Sequence, residues 1–272
     1  MDHSIPVYPL GNTDAEHRRL IWQAERMAPL TERLFREAGI GPGQRVLDIG
    51  SGVGDVAMLA ARLVGSSGEV VGIERDAKSI ARARARVAEA DLRNVRFVQS
   101  DVSQIPAGDP FDAAVGRFIL MFLPDPVAVV RSLSRLVRPG GVVAFQEPSW
   151  VPAFALLANL PLWSAVASLI HETFLRSGAN PEQGLALYRT FEEAGLPGPT
   201  MHAEMHLGRD PVIAQWFFDL VCTLLPQAQQ FDLPIESVGS FDTLLERLQS
   251  AVNDSDGVVS SPAFVGAWAR KT

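Results

Sequence analysis

The chain has 272 residues, 47% hydrophobic and 20% charged, enough for one large α/β domain with a helical elaboration. Its 24 basic and 31 acidic residues leave a net charge of −7, so it carries no electrostatic footprint for nucleic acid or an anionic membrane. The single cysteine, Cys222, excludes an intramolecular disulfide, fits a reducing cytoplasm and lies in an apolar run that assigns it to packing.

Residues 1–12 read as irregular, with no signal peptide. Thr13-x-x-Glu16 is a capping box that starts a helix with Leu20, Ile21, Ala24, Met27 and Ala28 on its apolar face. Pro29 is expected to break that helix, and a second one runs to Ala38 before Gly39. From there strands and helices alternate. Strands are expected at 45–49, 69–73, 95–99, 111–115 and 142–146, with helices at 56–64, 78–90 and 126–136 between them. That rhythm implies right-handed βαβ units and a mostly parallel sheet covered on both faces. The basic run Arg82, Arg84 and Arg86 reads as a solvated helix face.

After Glu147 the pattern changes. Residues 150–177 read as helical, 183–194 as another helix, and Met201–Leu207 as a strand with His202, Glu204 and His206 on its wet side. Two more helices, at 210–229 and 241–252, precede a last strand at Phe264–Ala269. The charge-free stretch Pro148–Ile170 is interrupted by Pro152, Asn159 and Pro161, so no stable membrane insertion is expected from it.

The chemistry concentrates in Val46-Leu47-Asp48-Ile49-Gly50-Ser51-Gly52-Val53-Gly54-Asp55, a buried strand that breaks into a loop with glycine at alternate positions before a helix. Such a loop lets backbone approach a ligand closely, and the helix start behind it presents unpaired N–H groups. A dinucleotide fingerprint needs glycine where Asp55 stands, and a phosphate loop needs a Gly-Lys-Ser/Thr that is missing. Glu74 then ends the second strand and Asp101 follows the third, so successive strands deliver carboxylates to the edge of the sheet where ligands bind.

Over residues 40–150 the chain resembles the class I S-adenosylmethionine (SAM)-dependent methyltransferases, closest to the small-molecule branch of ubiquinone/menaquinone-type enzymes. The motif residues that carry the resemblance are Asp48, Gly50, Gly52, Gly54, Glu74, Asp101, Phe111-Asp112-Ala113-Ala114-Val115 and Pro139-Gly140-Gly141. It implies SAM as cofactor and a Rossmann-like seven-stranded sheet of order 3-2-1-4-5-7-6. A helical insertion at 209–258 would separate strands six and seven. It also implies an N-terminal helical lid (1–40) over a SAM-binding domain (41–272), with substrate-lid helices at about 149–180 and 209–258. The cofactor residues would be Asp48, Gly50, Ser51, Gly52, Gly54, Glu74 on the ribose hydroxyls, Arg75, Asp101 and Val102 on adenine, Arg117 through its backbone carbonyl, and Tyr8 and Gln23 from the lid. The Arg117 side chain is left either paired with a ligand carboxylate or solvated.

Methyl transfer mainly requires positioning and exclusion of water, with a base only if the acceptor must lose a proton. His171 and Glu147 are the candidates for base or substrate contact, and no metal is expected. The Trp-, Phe- and Leu-rich helices after Glu147 point to a small, largely hydrophobic acceptor methylated on O or C. Two alternatives keep the same fold: a SAM-binding enzyme running a non-methylating reaction such as a cyclisation, or a non-catalytic binding subunit. The assembly stays open, with a homodimer as one candidate.

Overall fold

The computed structural model describes residues 9–11, 13–105 and 108–272. Helix α1 (Asp14–Glu37) leads into β1 (Arg45–Ile49), α2 (Asp55–Val64), β2 (Glu69–Glu74), α3 (Ala77–Glu89), β3 (Val95–Gln99) and β4 (Phe111–Arg117). Then come α4 (Pro126–Leu136), the long β5 (Val137–Ser149), α5 (Val151–Leu157), α6 (Pro161–Arg176), α7 (Gln183–Glu193) and β6 (Thr200–Glu204). A two-stranded ribbon, β7 (Leu207–Gly208) with β8 (Val259–Ser260), brackets α8 (Pro211–Gln230) and α9 (Leu244–Asn253); β9 (Ala263–Arg270) is last.

The main sheet has the order β3-β2-β1-β4-β5-β9-β6. The first five are parallel and β9 runs antiparallel between β5 and β6, as expected for strands one to seven. β1 and β4 lie at the centre, buried on both faces, which is why their sequences are continuous apolar runs instead of alternating ones. One face packs under α1, α2 and α3 through Leu34, Phe35, Val56, Phe97 and Val115. The other packs under α4 and α7 through Ile49, Leu133, Phe145 and Phe191. The helices α5, α6, α8 and α9 build a third core around Trp163, Phe217, Leu224 and Leu248, joined to the sheet ends through Met121 and Trp150.

Three expectations change. Helix α1 runs through Pro29 without a break. The missing N–H and the ring clash cost about 3 kcal/mol. The continuous helix buries Ala24, Met27, Leu34 and Phe35 along one face, and each large apolar side chain buried contributes about 1.5–3 kcal/mol. The stretch 150–177 is two helices, parted just before Pro161, and no helix among the described residues is long and apolar enough to cross a membrane. Strand β6 stops at Glu204, so His206 leaves the row of His202 and Glu204 and packs on Phe264 instead. His202 pairs with Glu37 and Glu204 with Arg33.

Candidate active site

The glycine loop is bound to its sequence by backbone geometry. Gly50, Gly52 and Gly54 have φ of +62°, +52° and +89°, a region that L side chains adopt only under strain. A Cβ on Gly50 would stand 2.6 Å from Ile119 Cδ1, whereas one on Gly52 meets only Gly50 O, at 4.0 Å. The loop is pinned to β2 by Glu74. Its Oε2 accepts the Gly52 N–H at 2.9 Å, and its Oε1 accepts the N–H groups of Arg75 and Asp76 at 2.8 and 2.9 Å.

Beyond the carboxyl ends of β1 to β5 lies a cavity of about 240 Å³ with two chemically different ends. The polar end is walled by Gly50, Ser51, Gly52 and Val53 of the glycine loop, Glu74, Arg75, Asp101, Val102 and Arg117, with His17, Arg19 and Gln23 from α1; the expected cofactor residues Asp48 and Gly54 are not in its lining. Asp101 is held by Ser103, whose hydroxyl and N–H both donate to Oδ1 and keep the carboxyl below its usual range. The apolar end is walled by Leu10, Leu20, Phe118, Met121, Phe122, Trp150, Phe174, Trp216, Leu220 and Phe264. Gln23 bridges the two roof helices: its Oε1 accepts from Arg19 Nη1 at 2.6 Å and from Trp216 Nε1 at 3.1 Å.

Charge at the polar end is balanced in ways the sequence concealed. Asp55, at the first position of α2, makes a 2.7 Å ion pair with Arg86, both side chains 15% exposed. Arg86 also donates to Val53 O, and Arg84 to Phe97 O, so the basic run is not a purely solvated face. This pairing weakens the case that Asp55 by itself repels a pyrophosphate. The Arg117 side chain is half-buried in the cavity wall and paired within the protein: Nη1 donates to Thr31 Oγ1, which donates in turn to Gln146 Oε1. Burial lowers its pKa from the usual arginine value, while Asp55 and Asp48 oppose the shift. Asp48 is 1% exposed, and burial raises its carboxyl well above the usual range against the charge of Arg117. Its Oδ2, and Ser51 Oγ beside it in the loop, are buried with no hydrogen-bond partner.

The two residues proposed for acid–base work do not reach the cavity wall. Glu147 is fully buried, and its carboxylate accepts the N–H groups of Ile119, Leu120 and Met121. Burial raises its pKa to about 8 against those three bonds. His171 lines a separate surface groove with Phe154 and Leu233, and its Nε2 lies 3.2 Å from Glu182 Oε1. Glu182 also takes Ser149 Oγ and the Trp150 N–H, so the pair braces the α5 turn from behind. Tyr8 lies outside the described residues. Sequence reasoning missed His17 and Arg19. His17 is 6% exposed, lines the cavity and meets Ser79 Oγ at 3.2 Å; Arg19 forms a buried bidentate pair with Glu16. The signal was the capping box itself: Thr13 caps the Glu16 N–H as expected, but Glu16 turns to Arg19 instead of back to the cap.

The "Methyltransferase domain" family profile matches residues 40–195, which carry β1 to β5, the glycine loop after the first strand and the carboxylates at the ends of the next two. The chain belongs to this methyltransferase family. An uncharacterised protein of Mycobacterium tuberculosis is 29% identical over 217 residues, 70% of this chain and 77% of its own. Demethylmenaquinone methyltransferase of Staphylococcus aureus is 28% identical over 195 residues, 65% of this chain and 80% of its own. A putative methyltransferase structure from Bacillus halodurans shares the fold at 18% identity and a TM-score of 0.57, covering 89% of this chain and 98% of that one. This protein is therefore a SAM-dependent methyltransferase. Its residues fit the cofactor on their own account, with open space over Gly52 and two orphaned buried oxygens beside the loop.

Proposed function

We propose that this methyltransferase moves the methyl group of SAM to a small, largely hydrophobic acceptor, on O or C. The observation that carries the reading is one continuous cavity with a polar end on the glycine loop and an aromatic end lined by Trp150 after β5, Phe174 of α6, Trp216 of α8 and Phe264 of β9. When bound, SAM supplies an electrophilic methyl group on a sulfonium. Gly50, Ser51 and Gly52 would let backbone lie against the methionine portion, with the Arg117 carbonyl on its amino group, while Gly54 would serve the turn itself, packed on Ala83 and Phe97. Glu74 would exchange its Gly52 contact for ribose hydroxyls, since a carboxylate has spare acceptor sites. Asp101 and the Val102 N–H would take adenine, with Arg75 flanking them.

The roof helix α1, carrying Gln23, serves as lid, and α6 and α8 enclose the acceptor, with α5 and α9 packed behind them. Trp150, Phe174, Trp216 and Phe264 orient a flat or apolar acceptor and exclude water, and that positioning supplies most of the rate. The reading assigns no base to Glu147 or His171. Instead, an acceptor that loses a proton arrives ionised or passes the proton to solvent.

The test is calorimetric titration with SAM, followed by incubation with methyl-labelled SAM and a panel of phenols and hydroquinones. Micromolar SAM affinity and label in an apolar product are expected. Absence of SAM binding at high micromolar concentration would refute the cofactor half, and label transfer restricted to polar amines would refute the acceptor half.

A further inference from the structure

The turn after β4 holds a bulky residue in a conformation that favours glycine. Phe118 has φ +53°; the other described non-glycine residues with positive φ, Asp91 and Asp232, follow the ends of α3 and α8. Phe118 instead stands in the cavity wall, its ring 5.9 Å from that of Phe264. Its N–H donates to Gln146 O at 2.9 Å. The next three amides converge on one side chain: Ile119 and Leu120 donate to Glu147 Oε1 at 3.0 and 2.8 Å, and Met121 to Oε2 at 3.3 Å. Four successive amides are thus tied to two adjacent residues of β5.

Glu147 is fully buried behind this wall, and among the described residues its carboxyl group accepts hydrogen bonds from these three amides alone. A buried carboxyl group costs free energy unless hydrogen bonds satisfy it, and a satisfied buried network stiffens the backbone it binds. We propose that Glu147 is a positioning residue for the acceptor: its carboxyl group gathers the amides of Ile119 to Met121, holds Phe118 in its left-handed turn, and so fixes the aromatic surface on which the acceptor lies. The assignment rests on the reading of the apolar end as the acceptor chamber. The residues proposed for ribose and adenine lie at the ends of β2 and β3 and make no hydrogen bond to Glu147. An amide at position 147 keeps one acceptor oxygen but turns an N–H donor toward another donor, so the turn must shift.

The test uses the full-length protein and the Glu147→Gln variant. SAM affinity is measured by calorimetry, and the apolar chamber is probed in the SAM-loaded protein with 1-anilinonaphthalene-8-sulfonate. Amide exchange is followed across 118–122. In E147Q, SAM affinity should stay within about threefold of wild type, while probe affinity falls about tenfold and the 119–121 amides exchange at least about tenfold faster. E147D, which restores the carboxylate, should recover part of both losses. Unchanged probe affinity and exchange would overturn the proposal, and so would a parallel loss of SAM and probe binding, the mark of a merely structural role. Should E147Q fail to fold, F118G serves: glycine adopts the turn freely but lacks the ring, so SAM is retained and the probe lost, and full probe affinity would overturn the proposal. A wild-type protein that binds SAM but not the probe would count against the chamber reading itself, while the exchange comparison would still test Glu147.

Discussion

Gly52→Ala separates the fold from the site. Gly52 sits at φ +52°, and a Cβ there meets no atom closer than Gly50 O at 4.0 Å. The protein therefore loses only the conformational penalty of a left-handed alanine, about 1–2 kcal/mol. For a chain of this size each kcal/mol shifts Tm by about 2–4 °C, so a fall of about 2–8 °C is expected. On the proposed placement of SAM over this loop, the same methyl group would occupy the space the cofactor needs. Overpacking of that kind costs about 1–3 kcal/mol, or roughly 5–150-fold in Kd. Gly54→Ala gives the opposite balance, because its Cβ would lie 3.1 Å from both Ala83 Cβ and Phe97 Cζ under α3; stability falls further than for G52A. Calorimetric SAM titration and thermal unfolding of both variants give the comparison. A G52A protein that binds SAM within about twofold of wild type would refute the placement of the cofactor on this loop.

Glu74→Ala removes the acceptor of the Gly52 N–H and the proposed ribose ligand together; at about 1.5–3 kcal/mol for a charged hydrogen bond, SAM affinity should drop at least about tenfold by calorimetry. Arg86→Ala strands Asp55 at the start of α2 and should cost about 2 kcal/mol in denaturant unfolding, between the values for exposed and buried pairs. For Glu147 the pKa is raised by burial from 4.5 to about 8. The native state therefore binds the proton more tightly than the unfolded chain, and this contribution to stability is present below pH 4.5 and lost as pH rises through about 8. Urea unfolding from pH 5.5 to 8.5 should show wild-type stability falling with pH and a shallower slope in E147Q; equal slopes would contradict the assignment.

The strand order, the glycine loop and the placement of Glu74 and Asp101 in the cavity wall were legible because each follows from local rules: a buried strand, a loop that needs positive φ, and the ligand edge of a parallel sheet. What stayed hidden depends on partners distant in sequence. The Arg86–Asp55 pair spans two helices, and nothing in the periodicity of α3 announces it. Glu147 illustrates a limit of period-two reasoning. Gln146 points toward Thr31 and α1, so the next residue points to the opposite face and finds the amides after β4 instead of the cavity. His171 borders an apolar helix face as periodicity suggests, but periodicity cannot say which of two hollows that face adjoins. His17 lies in the first turn of α1, a segment placed against α3 by tertiary contacts such as that with Ser79. Pro29 misled because propensity is local, whereas α1 is buried on both sides of the proline, through Ala24 and Met27 before it and Thr31, Leu34 and Phe35 after it.

The most direct test of the account is transfer of label from methyl-labelled SAM by the wild-type protein, offered apolar phenols and hydroquinones in one panel and polar amines and oligonucleotides in another. The two-ended cavity predicts label in one or more apolar products and none in the polar panel. Transfer confined to the polar panel, or apolar products formed without label, would contradict it.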